Sequence, residues 1–283
     1  MQQTHTWLKV SLFTKMWNWH YLLREIKLFI SKNKHYVISY LIEFNSLCGD
    51  NIRLAILVPG GFAIEFVSVV DNHFKHFFLE RNLRTEAVWL PVAGIFKPFD
   101  QNTIQYGLFD VPYSVSEAKL AANLSGIILT ALKDDEIDDE TLVTFAFYLH
   151  VAIFKLSKDD PGLSHEVGSY YTNAVSLTGG DINMEFLADK FESNKQDLAD
   201  IYHDIMVENK SDLPGWLNDW TACIMDEMEI SNANLTEGFK TKKQDRITST
   251  VNMQLGLSRS SWLMIRYFLQ QTINSYRKIS PHA

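Results

Sequence analysis

The sequence predicts an α+β protein, with a ferredoxin-like β-α-β-β-α-β sheet region over residues 1–110 and a helical region over residues 111–283. Two observations indicate this class. In the first region, segments of alternating apolar and polar residues are interleaved with segments whose apolar residues recur at helical spacing. After about residue 113 the alternation stops and helical spacing alone continues. We expect the two regions to pack as one unit.

Strands and helices alternate along the sheet region. Strands are predicted at residues 6–13, 36–44, 52–58 and 87–96, where Pro91 indicates an edge strand or a break. Helices are predicted at residues 19–30 and 63–80, because their apolar residues fall on one helical face. The second helix is expected to bury Phe66, Val69, Val70, Phe74 and Phe77.

The second region reads as a series of helices. Residues 114–117, Ser-Val-Ser-Glu, have the form of a capping box, which marks a helix start. Further helices are predicted at residues 138–156, 164–177, 181–207, 213–228 and 259–277. Residues 231–246 are polar, and we expect them to form a mobile segment.

Composition excludes several classes of protein. Of the 283 residues, 46% are hydrophobic, which is enough for a core and excludes a disordered chain. The net charge of −8 disfavours nucleic-acid binding, which needs a basic surface. The two cysteines form no CxxC pair, as expected in a reducing compartment without structural zinc. No charge-free apolar stretch is long enough to span a bilayer, so we expect a cytoplasmic protein without a membrane span.

Short motifs of common enzyme sites are absent from the sequence. We find no GxGxxG, P-loop, HExxH, EF-hand or GxSxG segment, and we expect no cofactor. His73 and His76 are three positions apart on a predicted helix, but no third ligand accompanies them at a suitable spacing. They therefore indicate a partly exposed helix face, and we expect no metal site.

Arg53 is the unusual residue of the predicted strands. Alternation places it on one face with Ala55 and Leu57, while Ile52, Leu54 and Ile56 share the other. An arginine on an otherwise apolar strand needs a partner. The spacing leaves open a structural carboxylate and a bound anion, and it favours the carboxylate.

Four segments, in order along the chain, match the pattern of one family. Residues 7–12, Trp-Leu-Lys-Val-Ser-Leu, are similar to its opening Trp strand, and residues 50–56 to its Pro-His-Ile-Arg-Leu-Arg-Phe strand. Residues 99–107 are similar to its Tyr-Glu-Pro-Glu-x-x-Arg-Tyr-Gly-Gly segment, and residues 249–256 to its Val-His-Met-His stretch. On these segments the chain resembles the C-terminal elimination domain of lantibiotic dehydratases, a domain shared with thiopeptide-type bacteriocin biosynthesis proteins and pyridine synthases.

The resemblance implies a stand-alone, lyase-type enzyme of lantibiotic or thiopeptide biosynthesis. In that family the domain acts on a ribosomally made precursor peptide whose Ser or Thr has been glutamylated. A base removes the Cα proton and glutamate leaves, giving dehydroalanine or dehydrobutyrine. Glutamylation belongs to a separate domain that does not fit in this chain. The implied partners are therefore the leader-bearing precursor peptide and a separate glutamylating dehydratase subunit.

The site residues follow from the matched positions. The resemblance implies Arg53, Gln105 and Asn252 as catalytic residues, and Asn102, Tyr106 and Gln254 as substrate-binding residues. Most of these positions depart from the family. Ala55 stands at its second arginine, Asn102 at its glutamate, Gln105 at an arginine, and Asn252 and Gln254 at histidines. Amides supply neither charge nor titration near neutral pH. The base is not identified, and Tyr106, His35 and Glu43 are candidates.

Three functions remain open. The first is glutamate elimination, with a pocket centred on Arg53. The second is a pyridine-synthase-like cyclisation of two dehydroalanines with expulsion of the leader, which depends on positioning and tolerates loss of the elimination residues. The third is a non-catalytic module of a split dehydratase that binds a peptide strand at a sheet edge. An enzyme should keep a concave polar site around Arg53, whereas a module should show an open edge or an apolar groove.

Overall fold

The computed structural model describes residues 4–81, 83, 85, 98–113, 118–158, 183–207, 213–229 and 237–279. It confirms an α+β protein that is mostly helical. The strands are β1 (His5–Phe13), β2 (Ser39–Asn45), β3 (Asn51–Pro59) and β4 (Thr103–Tyr106). The helices are α1 (Trp19–Lys32), α2 (Ala63–Arg81), α3 (Ala118–Ala131), α4 (Asp139–Lys158), α5 (Met184–Val207), α6 (Gly215–Glu229), α7 (Glu237–Gln254) and α8 (Arg259–Ile279).

The strands form one antiparallel sheet in the order β2-β3-β1-β4. The first three agree with the predicted strands, while the predicted strand at residues 87–96 lies outside the described residues. Thr103–Tyr106 was not predicted as a strand, because four half-buried residues carry too short a pattern. The ferredoxin-like assignment of this region stays a prediction.

The two faces of the sheet have different coverings. On one face Ile52, Leu54 and Ile56 are fully buried, and α1 packs there through Trp19, whose ring stacks on Phe44 at 4.8 Å. On the other face Leu41 and Ala55 are buried against Ala118 and Ala121 of α3. The alternation predicted for β3 is thereby confirmed.

The inward face of α2 differs from the prediction at one position. Phe66, Val70, Phe74 and Phe77 are buried as expected, whereas Val69 is 37% exposed. The buried residues follow each other at three- and four-residue steps, and Val69 lies to the side of that stripe.

The chain forms two compact units. One comprises Met1–Asp139 with Met253–Gly256, and the other comprises Glu140–Asn252 with Leu257–Ala283. Helix α3, which follows residue 110, belongs to the first unit. The division predicted after residue 110 stays a prediction, since it separated sheet from helical sequence rather than compact units.

The helical predictions are confirmed for α3 to α6 and α8, and the predicted helix at residues 164–177 lies outside the described residues. Helix α7 was not among the predicted helices, and it includes the C-terminal part of the polar segment 231–246, whose mobility stays a prediction. That part is rich in Lys, Gln and Arg, which favour helices without giving an apolar stripe.

Helix α4 is long and strongly apolar. Among the described residues, the segment Asp139–Ser157 is the one stretch that meets the length and hydropathy of a membrane-crossing helix. Because 61% of it is buried inside the protein, a core helix accounts for the same composition.

Candidate functional site

Arg53 has a carboxylate partner on the neighbouring strand. The register of β2 and β3 places Glu43 directly opposite Arg53, and Arg53 Nη1 donates to Glu43 Oε1 at 2.6 Å. The side chains are only 16% and 20% exposed. Of the two partners left open by the sequence, the structure has the carboxylate.

The Glu43 carboxyl group is the titratable group most affected by this arrangement. Burial raises its pKa, while the charge and hydrogen bond of Arg53 act in the opposite direction. The pair is therefore a partly desolvated ion pair in which the carboxylate remains more basic than in water.

Gln105 lies in the same cross-strand row as Arg53. Ser11 of β1 stands opposite Arg53 on one side and opposite Gln105 on the other, so the row crosses all four strands. Ser11 is 1% exposed, and within the described part of the chain its Oγ has no hydrogen-bond partner. The structure thus brings two of the three predicted catalytic residues to one face, with one strand between them.

A cavity of about 20 Å³ lies beside Arg53. It has room for one or two water molecules. Its lining residues are Leu41, Ile42, Glu43, Arg53, Ala55, Phe109, Asp110, Val111, Pro112, Tyr113, Met253 and Gln254. This is a concave site with polar groups around Arg53, but as it stands it is too small for a peptide side chain.

Residues 108–113, which we call the strap, provide one wall of this cavity. The Arg53 guanidinium carbon lies 5.3 Å from the centre of the Phe109 ring, within cation–π range. Next to it, Asp110 Oδ1 forms an ion pair with Lys9 Nζ at 2.7 Å. The strap begins after Gly107, whose φ of +71° is a left-handed conformation that favours glycine.

Gln254 contributes both to the cavity and to the edge of the sheet. Its Nε2 donates to the Ala121 carbonyl at 2.8 Å and to Ser125 Oγ at 2.9 Å. Ser125 Oγ in turn accepts the main-chain N–H of Ile42 at 2.8 Å, so α3 satisfies a donor on the outer edge of β2. Gln254 therefore has a structural role, in which it bonds to α3, and it also lines the cavity.

Asn252 lies in the other unit, beside a residue that sequence reasoning missed. His150 of α4 is fully buried, and its Nε2 lies 3.2 Å from Asn252 Oδ1. Burial lowers the pKa of His150 to about 4, and the charge of Arg266 acts in the same direction. The feature of the sequence that could have identified His150 is that it is a single histidine within the apolar segment that forms α4.

Asn102 and Tyr106 are engaged elsewhere. Asn102 adopts a left-handed φ of +59° and accepts a hydrogen bond from Thr14 Oγ1 at 2.9 Å, which makes it a turn residue. Tyr106 points to the sheet face opposite Gln105, where its hydroxyl donates to Asp71 Oδ1 at 3.4 Å. Burial and Asp71 raise the pKa of Tyr106. Neither residue joins Arg53.

Only one of the three candidate bases lines the cavity. Glu43 does, whereas Tyr106 is on the other face and His35 lies in an exposed turn after α1. His73 pairs with Glu25 at 2.7 Å and His76 with Glu80 at 3.1 Å. Throughout the described ranges there is no group of three or more His, Cys, Asp or Glu side chains that could hold a metal ion.

Comparison with known proteins identifies the fold. No family model matches the chain, and no curated protein matches it in sequence. Among solved structures, it is similar to TbtD, the pyridine synthase from thiomuracin biosynthesis, at 15% identity and a TM-score of 0.70, over 96% of this chain and 99% of TbtD. It is similar to TsrL at 10% identity and a TM-score of 0.64, over 97% of this chain and 96% of TsrL.

A longer protein contains the same fold. The tRNA-dependent lantibiotic dehydratase MibB from Microbispora sp. 107891 is matched at 9% identity and a TM-score of 0.58, over 98% of this chain and 28% of MibB.

Proposed function

Because the chain has the fold of thiopeptide and lantibiotic biosynthesis proteins, as its sequence segments predicted, we propose that it acts in the maturation of a ribosomally made peptide. Within this class we propose a pyridine-synthase-like cyclase of dehydrated precursor peptides. Such an enzyme joins two dehydroalanines by a formal cycloaddition and expels the leader peptide. The proposal includes a cytoplasmic location. It also includes a ferredoxin-like sheet region, and the strand order β2-β3-β1-β4 supports that sheet arrangement.

The ion pair between Arg53 and Glu43 is the observation that carries the choice of a cyclase. Glutamate elimination needs cations that hold the carboxylates of the departing glutamate. At this site the charge of Arg53 is already offset by Glu43 at 2.6 Å, and the other predicted catalytic residues, Gln105 and Asn252, are uncharged. A cycloaddition between two neutral dehydroalanines needs orientation instead.

The structural matches support the same choice. The TM-score is 0.70 with the pyridine synthase and 0.58 with the lantibiotic dehydratase. The edge of β2 also disfavours the non-catalytic module, because Ser125 already accepts its Ile42 N–H and a peptide strand would have to displace it.

Glutamate elimination remains a second candidate because of one observation. Burial raises the pKa of Glu43, and a carboxylate of raised pKa in a cavity is suited to accept the Cα proton of a substrate. In that case Arg53 would hold and orient the base, and the glutamate carboxylates would need a cation supplied by another group.

Mass spectrometry of the precursor peptide encoded beside the gene separates the candidates. The peptide is presented in a dehydrated form and in a glutamylated form, each with and without the protein. Leader expulsion from the dehydrated peptide supports the cyclase, and loss of glutamate from the other form supports the eliminase. Unchanged masses for both forms, with the peptide nonetheless bound, would contradict both and leave the binding module.

A matched pair of variants ties the activity to the site. Arg53→Gln should reduce turnover strongly. Lys195→Gln removes a cation from an exposed ion pair of α5 that does not line the cavity, and it should leave turnover nearly unchanged. Equal effects of the two substitutions would place the reaction away from Arg53.

A further inference from the structure

The orientation of the Gln254 amide is fixed by its neighbours. The Ala121 carbonyl can only accept a hydrogen bond, so the NH₂ group of Gln254 must face it. The Oε1 atom is then the acceptor that remains. Gln254 is 2% exposed and lines the cavity beside Arg53, and within the described ranges its Oε1 has no hydrogen-bond partner. A buried acceptor of this kind favours a ligand that carries a donor.

Arg53 offers the complementary group. A guanidinium carries five N–H donors in a fixed fork, and Glu43 accepts from Nη1. The remaining donors can serve an acceptor that enters the cavity. Because the Glu43 carboxylate stays beside Arg53, an anion entering here would meet a negative charge as well as a positive one.

From these two groups we propose that the cavity between Arg53 and Gln254 is a subsite for a neutral peptide bond of the substrate. The peptide N–H donates to Gln254 Oε1, and the peptide carbonyl accepts from Arg53. A carboxylate lacks the N–H and is repelled by Glu43. The inference rests on the proposed function and deepens it, because it names the part of the peptide that this site recognises.

Entry of a peptide bond requires the strap to move. The present cavity of about 20 Å³ accommodates water but not an amide group. One wall is the strap, tied to β1 by the exposed ion pair between Asp110 and Lys9 and preceded by the left-handed Gly107. Exposed ion pairs contribute little to stability, so the tie can open at low cost.

Binding of two small probes to the full chain tests the subsite. N-methylacetamide presents one peptide bond, and acetate is its charged counterpart of similar size. The reporter is the methyl group of Met253, which lines the cavity, observed by NMR in protein with ¹³C-methyl methionine. We expect N-methylacetamide to shift the Met253 signal saturably, and acetate to bind about tenfold more weakly, the equivalent of about one hydrogen bond.

Glu43→Gln provides the decisive variant. It is isosteric and retains an acceptor for Arg53, but it leaves the guanidinium charge unopposed, so the preference should reverse towards acetate by about tenfold. Glu192→Gln is the matched control, since it makes the same chemical change in an exposed ion pair of α5 that does not line the cavity. It should keep the preference of the wild type.

The subsite is overturned if the wild type binds acetate as well as the amide, or if neither probe shifts Met253. It is also overturned if Glu43→Gln leaves the preference unchanged, or if Glu192→Gln reverses it. None of these readouts requires turnover. An intact preference for the amide, together with unchanged peptide masses, would therefore contradict the cyclase and leave the subsite standing.

Discussion

His150 and Asn252 face each other across 3.2 Å in the interior of the second unit. With its proton on Nε2, His150 donates to Asn252 Oδ1 and fixes the orientation of that amide. The imidazole is fully buried, and its pKa of about 4 keeps it neutral near neutral pH. Asn252, implied as a catalytic residue by the resemblance, is thus held by a neutral histidine from α4.

The first prediction concerns acid stability. In the folded protein the pKa of His150 is about 4, against 6.5 for an ordinary histidine. Because this pKa is depressed, the folded state loses stability relative to the unfolded state as the pH falls below 6.5, and the loss is complete below about pH 4. We expect the free energy of unfolding to decrease by about 2 kcal/mol between pH 7.5 and pH 5.0. Urea unfolding at the two pH values measures the change.

His150→Gln should flatten this acid dependence, because glutamine can donate to Asn252 but does not titrate. His35→Gln is the matched control, since His35 is exposed in the turn after α1, and this variant should follow the wild type. If the acid dependence of His150→Gln equals that of the wild type, another group is responsible.

The second prediction concerns the edge of the sheet. Ser125→Ala removes the acceptor of the Ile42 N–H and one acceptor of Gln254. It should lower the free energy of unfolding by about 1–3 kcal/mol, because a buried N–H is left unpaired. Ser157→Ala is the control, since Ser157 is equally buried and its hydroxyl, among the described residues, bonds only to the Ile153 carbonyl of its own helix. Equal losses measured by urea unfolding would contradict the role of Ser125.

Local rules predicted the environment of Arg53 well. Period-two alternation placed it on the second face of β3, and the cost of an unpaired buried cation indicated a carboxylate partner. The identity of that partner follows from the register of β2 on β3, which pairs Glu43 with Arg53. Register depends on the turn between the strands, where Cys48 is left-handed with φ of +61°, and a single sequence does not specify that geometry.

The rest of the candidate site depends on contacts between distant residues. His150 and Asn252 are 102 positions apart, and no local pattern connects them. Asn252 and Gln254 were grouped in one site, but residues two apart on a helix point about 200° away from each other. Accordingly, Asn252 bonds to His150 in one unit, while Gln254 bonds to Ala121 in the other.

The third prediction uses a series of glycines. In Gly256→Ala, the new Cβ would lie 2.2 Å from the Phe44 carbonyl oxygen, at a φ of +60°. This combination of overlap and left-handed backbone should cost at least about 3 kcal/mol. Gly107→Ala meets no atom within 4 Å but keeps a φ of +71°, and it should cost about 1 kcal/mol.

Gly61→Ala completes the series. It meets no atom within 4 Å, and its stability should change by less than about 0.5 kcal/mol. Thermal or urea unfolding of the three variants gives the order. A stability of Gly256→Ala equal to that of Gly107→Ala would show that the end of α7 does not pack against β2 in this way.

The fourth prediction separates the two charges of the Arg53–Glu43 pair. Arg53→Met leaves a partly buried carboxylate without its cation, and it should destabilise the protein by about 2 kcal/mol at pH 7.5. Burial already raises the pKa of Glu43, and loss of the guanidinium raises it further. A raised carboxyl pKa favours the folded state at low pH, and this advantage is lost as the pH rises through the folded pKa. The loss relative to the wild type should therefore be smaller at pH 4.5 than at pH 7.5.

The double variant Glu43→Gln/Arg53→Met shows whether the carboxylate is the cause. It removes the carboxylate charge that Arg53→Met leaves without a cation. Its free energy of unfolding should therefore recover much of the loss at pH 7.5 and should depend less on pH than that of the single variant. Comparing each variant with the wild type at the same pH removes the contribution of His150, which all of them share. If the double variant is as unstable at pH 7.5 as Arg53→Met, the arginine stabilises the sheet through its contact with Phe109 rather than through Glu43.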